Sequence, residues 1–201
     1  MKGFKELVTE KEIRLANMLS QSRSSVFLES RGYIRKSLAH LFNLDPLDIP
    51  LEAHPSQPPK LPKEMGYISI SHCLDALIII WNQEKVGIDI ERSDREFKYG
   101  KIAKKYFHNN QSLHESTYSR KKILNQWCGI EAAIKLDKGS LAKDLKQWKY
   151  ISDTKTLFHK GNNLRVFLSQ IRFYEWTISI AYENEKYIKH PQIICNNINI
   201  F

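Results

Sequence analysis

Apolar and polar residues alternate most cleanly over Val86-Gly87-Ile88-Asp89-Ile90-Glu91-Arg92, and this period of two predicts a β-strand. Val86, Ile88 and Ile90 share one face, and Gly87, Asp89 and Glu91 share the other. The same alternation runs through Gly66-Tyr67-Ile68-Ser69-Ile70-Ser71-His72. Ala76 to Trp81 is continuously apolar, which predicts a central strand, and Asn82-Gln83-Glu84-Lys85 predicts a hairpin turn into Val86. Upstream, helical spacing predicts one helix over 9–22 (Ile13, Leu15, Met18, Leu19) and another over about 24–42 (Phe27, Ile34, Leu38, Leu41). Asn43-Leu44-Asp45-Pro46 ends the second, and a proline-rich, extended stretch follows.

Beyond Arg92 the chain turns charged and helical, with Ile102, Ala103, Tyr106 and Phe107, until Asn109-Asn110 breaks the pattern. A further helix is expected from Ser116 or Ser119 to about Leu136, with Ile123, Trp127, Ile130 and Ile134 as its buried stripe. Past Gly139 the strand candidates are 148–151, 164–168 and 174–181, and the tail from Glu183 reads as a short strand or an irregular end. Helix followed by strands thus occurs twice. That predicts an α+β fold of two similar halves, 1–95 and 96–201, without a residue-level repeat.

Composition narrows the class. Of the 201 residues, 42% are hydrophobic and 26% charged, which calls for a packed core. Lys and Arg outnumber Asp and Glu by 31 to 22, a formal net charge of +9 that favours acidic partners. Cys73, Cys128 and Cys195 form no C-x-x-C pair, so neither a disulfide framework nor a zinc site is expected. The N-terminus lacks the apolar run of a signal peptide and no apolar run is long enough to span a bilayer, so the expectation is a soluble cytoplasmic protein.

The candidate chemistry sits on the opening strand. Asp89 and Glu91 share one face, and two carboxylates so placed repel unless a cation or water separates them. Hard oxygen ligands suit Mg²⁺, which takes one or two carboxylates plus waters and substrate phosphates. Gly87 beside them lets another group approach the backbone. An isolated D-x-E pair is more often a solvated edge-strand face. Arg31 and Arg35 lie one turn apart and suit an anion as a pair, though either alone reads as a surface arginine. Glu131 and Lys135, at i and i+4, read by themselves as a surface ion pair.

Taken together, four segments resemble the signature motifs of the 4′-phosphopantetheinyl transferases. They are Phe27-Leu28-Glu29-Ser30-Arg31, Ser69-Ile70-Ser71-His72, Val86-Gly87-Ile88-Asp89-Ile90-Glu91, and Trp127-x-x-x-Glu131-Ala132-x-x-Lys135. The resemblance covers roughly residues 10 to 180 and is to the monomeric type that activates surfactin and enterobactin synthetases. It implies an α+β pseudo-dimer of two halves with the active site in the cleft between them. It implies transfer of the phosphopantetheine arm of coenzyme A to a serine of an acyl, polyketide or peptidyl carrier protein, releasing adenosine 3′,5′-bisphosphate. By position, Asp89, Glu91 and Glu131 are the implied Mg²⁺ (or Mn²⁺) ligands, and Lys135 the pyrophosphate contact. His72 is implied at the 3′-phosphate with Ser71 beside it, and Arg14 and Arg31 as further coenzyme A contacts. Glu131, or a water it orients, is the implied base. Lys121, Lys122 and the 143–149 region would steer an acidic carrier. The chain departs from the family pattern at Ser69, Ile130, Gln111 and Ser56-Gln57-Pro58.

Two other readings use the same residues. A metal-dependent nuclease also needs acidic pairs and a lysine, but such sites commonly carry carboxylate-x-lysine on a strand, and Glu91 is followed by Arg92. A non-catalytic nucleic-acid binder accounts for charge and aromatics but not for Asp89 and Glu91, which repel phosphate. The expectation is an enzyme that acts on coenzyme A and a carrier protein, with neither nucleic acid nor a membrane as partner.

Overall fold

The computed structural model describes residues 5–55, 57–74, 76–94, 120–151 and 153–185. The helix expected around 102–107, Gln111, the helix start near Ser116 or Ser119, Ser56, Cys195 and the tail beyond 185 lie outside the described residues. The chain combines helices with antiparallel sheet, as an α+β protein does. It divides into two compact units, residues 1–68 and 69–201.

The first unit is built on two helices, α1 (Glu10–Asn17) and α2 (Gln21–Phe42). Thr9 caps α1 reciprocally: its side chain accepts from the Glu12 N–H, and its own N–H donates to Glu12 Oε2 at 2.8 Å. The single helix expected over 9–22 is therefore shorter. It stops at Asn17, and Met18, placed in its apolar stripe, is exposed. What α1 buries instead is Glu12 and Ala16. Helix α2 buries Phe27, Ile34 and Leu38 as expected, but Leu41 is exposed. Asn43 ends α2 in the left-handed conformation (φ 53°, ψ 48°), which asparagine tolerates better than most residues.

Arg31 and Arg35 are buried, not surface arginines. Arg35 donates from Nε to Glu12 Oε2 at 2.9 Å, and from Nη1 to the carbonyls of Pro46 (3.0 Å) and Ile49 (2.8 Å). That network ties α1, α2 and the 3-10 turn at Pro46–Asp48 together. Arg31 lies 4.5 Å over the Phe27 ring. Burial pulls its pKa down to about 10, against a smaller opposing pull from Glu12.

β1 (Tyr67–Cys73), most of which belongs to the second unit, pairs with β2 (Ala76–Asn82) as a two-stranded sheet. The five-stranded sheet has the order β3-β7-β6-β5-β4, with β3 (Val86–Arg92), β4 (Trp148–Ile151), β5 (Thr156–His159), β6 (Arg165–Phe173) and β7 (Trp176–Tyr182). Its ladders are antiparallel, and β3 pairs with β7 from Val86↔Tyr182 to Arg92↔Trp176. Two expectations are corrected here. β2 is not a central strand, and β3 does not form a laddered hairpin with β2.

Helix α3 (Arg120–Leu136) lies across this sheet, followed by the short α4 (Leu141–Asp144). Ile130, Ala133, Ile134 and Leu136 pack against Trp148, Leu157, Val166, Leu168 and Ala181. The helix also sits directly on β3. A Cβ at Gly87 would collide with the Ala132 carbonyl oxygen and approach Leu136 N to 2.6 Å. The close approach expected at Gly87 is therefore made by α3. No helix among the described residues is long and apolar enough to cross a membrane.

Candidate active site

Strand β3 is an edge of the five-stranded sheet, and an edge leaves every second N–H without a ladder partner. Here serine hydroxyls supply the partners. The Ile88 N–H donates to Ser69 Oγ (3.1 Å) and the Ile90 N–H to Ser71 Oγ (3.4 Å). Both strands advance by two between these bonds, so β1 runs alongside β3 in the same direction. Side-chain oxygens replace the ladder, which satisfies the backbone and closes the edge. The alternation of β1 thus places Ser69, Ser71 and Cys73 toward β3, while His72 points away and is exposed.

The opposite problem arises on the Gly87-Asp89-Glu91 face, which α3 covers. Asp89 is 2% and Glu91 7% exposed, so the D-x-E pair is not a solvated edge. A buried carboxylate needs compensating charge or hydrogen bonds. Lys135, near the end of α3, supplies both to Asp89. Its Nζ lies 2.7 Å from Asp89 Oδ1 and 2.7 Å from Ser71 Oγ, and Ser71 donates to the same Oδ1 at 2.7 Å. Ser71 Oγ therefore gives one proton and accepts two, its full capacity. Asp89 Oδ2, by contrast, is buried with no hydrogen-bond partner. Cys73 Sγ reaches Glu91 Oε2 at 3.5 Å.

Cys128, two turns before Lys135, completes the contact. Its Sγ donates toward the carbonyls of Asp89 (3.3 Å) and Thr177 (3.4 Å), bridging β3 and β7. Burial drives the Cys128 thiol well above its ordinary pKa, and the nearby Asp89 charge adds to this. The thiol is a structural donor rather than a nucleophile. Gln170 of β6 anchors α3 from the other side, donating to the Asn125 carbonyl (2.8 Å) and Ser179 Oγ (2.9 Å).

Of the residues singled out in the sequence, the structure brings together Ser71, Asp89 and Lys135, with Glu91 two residues along on the same face of β3. Glu131 lies one turn before Lys135 on α3 and is half-buried. Arg31 and Arg14 belong to the first unit. Arg14 is a surface residue paired with Glu10 at 3.5 Å. Among the described residues, no three His, Cys, Asp or Glu side chains gather into a group that could hold a metal ion. Asp89, Glu91 and Glu131 are thus not assembled as a closed three-ligand site. The donor chemistry still suits a hard cation: Asp89 Oδ2 is a buried carboxylate oxygen without a donor, beside a second carboxylate. Ser69, Cys73 and Cys128 were not singled out as site residues. The period of two in β1 carries the signal for Ser69 and Cys73, and none in the sequence marks Cys128.

No family model matches the sequence, and no curated protein matches it.

Proposed function

We propose that the protein is a 4′-phosphopantetheinyl transferase that moves the phosphopantetheine arm of coenzyme A onto a carrier-protein serine. The observation that carries the reading is the buried Asp89–Glu91 pair on β3, with Asp89 held on one oxygen by Lys135 and open on the other. The resemblance of the four sequence segments supplies the reaction. In this reading the cytoplasmic chain acts as a monomeric pseudo-dimer, with halves 1–95 and 96–201 and coenzyme A in the cleft between them. His72, Ser71, Arg14 and Arg31 serve the nucleotide end.

Asp89 and Glu91, with Glu131, would hold Mg²⁺ or Mn²⁺, which when bound neutralises charge on the pyrophosphate oxygens. The carrier serine Oγ attacks the phosphorus that bears the pantetheine arm. The bond from that phosphorus to the bridging oxygen breaks, and adenosine 3′,5′-bisphosphate leaves. Glu131 takes the serine proton. Lys135, whose side chain is 31% exposed, is wet enough to meet a pyrophosphate oxygen and offset the charge that builds there. The buried Asp89 fixes where that ammonium rests before substrate arrives.

General-base catalysis contributes about 10²–10⁴-fold. Glu131→Gln at saturating Mg²⁺ is therefore expected to lower kcat about 10²-fold or more with the KM for coenzyme A little changed. Near-normal transfer by that variant would remove Glu131 from the role.

A further inference from the structure

The first unit holds a cavity of about 580 Å³, bounded by the start of α1, by α2 and by the two ends of the proline-rich stretch, 47–52 and 60–62. That volume falls within the roughly 300–1,000 Å³ of small-molecule sites. Arg14, Arg31, Ser71, His72 and Lys135, assigned above to coenzyme A, do not line it.

Arg35 does, and its guanidinium is only partly used. Nε donates to Glu12, and the Nη1 hydrogens go to the carbonyls of Pro46 and Ile49. Nη2 carries the remaining two N–H groups and donates to nothing among the described residues. Arg35 is 3% exposed, yet Nη2 is not sealed off as Asp89 Oδ2 is. Its open side is the cavity. A donor so placed calls for an acceptor.

The charges of the lining decide which acceptor. Glu12 already neutralises Arg35. Lys11 and Lys60 are exposed, and neither makes an ion pair among the described residues. Against them stands Glu52. One positive charge is left over, which a monoanion balances and a phosphate dianion would exceed. The walls are apolar: Leu47, Ile49, Leu51 and Leu61. They are also preformed. The Glu52 N–H donates to the Lys60 carbonyl at 2.9 Å and the Lys60 N–H to the Glu52 carbonyl at 2.7 Å, which ties the two segments together. Little ordering remains for a ligand to impose.

We propose that this cavity binds a small monoanionic organic acid, its carboxylate on Arg35 Nη2 and drawn in by Lys11 and Lys60, its apolar body against Leu47, Leu51 and Leu61. The site is independent of the transferase reading.

The test titrates phenylbutyrate into the full chain and follows the Arg35 Nε–H signal and the backbone amides by NMR. Phenylbutyrate should bind with a Kd of about 1 mM or tighter and shift Arg35 together with 47–52 and 60–62. Its neutral isostere phenylbutanol and inorganic phosphate should each bind at least about tenfold more weakly, one lacking the charge and the other the apolar body. Lys11→Gln/Lys60→Gln should weaken phenylbutyrate about fivefold, and Leu47→Glu should abolish its binding. Leu47 is 47% exposed and both lysines are exposed, so these variants should melt as the wild type does. Equal binding of phenylbutanol or of phosphate overturns the proposal, as do shifts outside the cavity or unchanged affinity in Leu47→Glu. Competitive displacement of phenylbutyrate by coenzyme A would make the cavity part of the coenzyme A site and also overturn it. Binding to a chain that transfers nothing leaves the cavity standing while the reaction falls.

Discussion

Lys135 Nζ lies 2.7 Å from Asp89 Oδ1, joining residues 46 positions apart in the chain. The carboxylate is 3% exposed and the lysine 31%, so the pair is buried at one end only. Removing the lysine strands a buried charge, whereas removing both charges does not. Lys135→Met is expected to cost about 2–3 kcal/mol, the low side of the buried-pair range because water already reaches the amine. Asp89→Asn/Lys135→Met should recover part of that loss. Urea unfolding of both single variants and the double closes the cycle. Additive costs would mean that the two groups do not interact.

Glycines 87 and 129 both face closely packed neighbours, but of different kinds. At Gly87 the obstacles are the Ala132 carbonyl oxygen and Leu136 N, which are backbone atoms of α3. At Gly129 the nearest atom is Leu168 Cδ1 at 2.8 Å, the end of a side chain that can turn. Gly87→Ala is therefore expected to cost about 3 kcal/mol or more and Gly129→Ala about 1 kcal/mol. Thermal unfolding of the two variants should give that order. The reverse order would mean that α3 does not rest on β3 at Gly87.

The first unit has its own buried ion pair. Arg35 serves Glu12 and two carbonyls with one planar fork, a geometry that lysine cannot reproduce. Arg35→Met should destabilise the protein by about 3 kcal/mol, and Arg35→Lys should rescue little of it. Full stability in the lysine variant would show that charge alone is what matters there.

Tyr182, on β7, carries a phenol that burial pushes up to about 12 from its ordinary value of 10.0. The native state holds this proton more tightly than the unfolded chain does. Its contribution is thus complete below pH 10 and is lost as pH rises through 10 to 12. Arg31 works the other way above about pH 10, because its native pKa is depressed. Comparison with Tyr182→Phe isolates the phenol. Between pH 9 and 11 the urea midpoint should fall further for wild type than for the phenylalanine variant. Parallel curves would mean that the phenol is not buried.

The strands with clean alternation or unbroken apolar runs, β1 to β3 and β7, were legible in the sequence. Two of the misses share a cause: polar residues placed for partners elsewhere in the chain. Glu12 breaks the apolar pattern of α1 because its partner is Arg35, 23 residues on. Ser169-Gln170 ended the expected strand early, yet β6 continues, since Gln170 is there to bond Asn125 and Ser179. Short β5 carried no period of its own. Tyr174-Glu175 read as strand by composition, and the turn is imposed by the Phe173↔Trp176 register. At the candidate site the residue types and Gly87 were legible. That Lys135 rests on Asp89, and that serine hydroxyls close the β3 edge, depends on tertiary placement that no local spacing encodes.

The most direct test is intact-mass spectrometry of a panel of apo carrier proteins incubated with the protein, coenzyme A and Mg²⁺. The account predicts that at least one carrier gains the mass of a single phosphopantetheine arm, that adenosine 3′,5′-bisphosphate appears in equal amount, and that chelation or Asp89→Asn abolishes both. No mass gain on any acyl, polyketide or peptidyl carrier, from a folded protein with Mg²⁺ present, would contradict it.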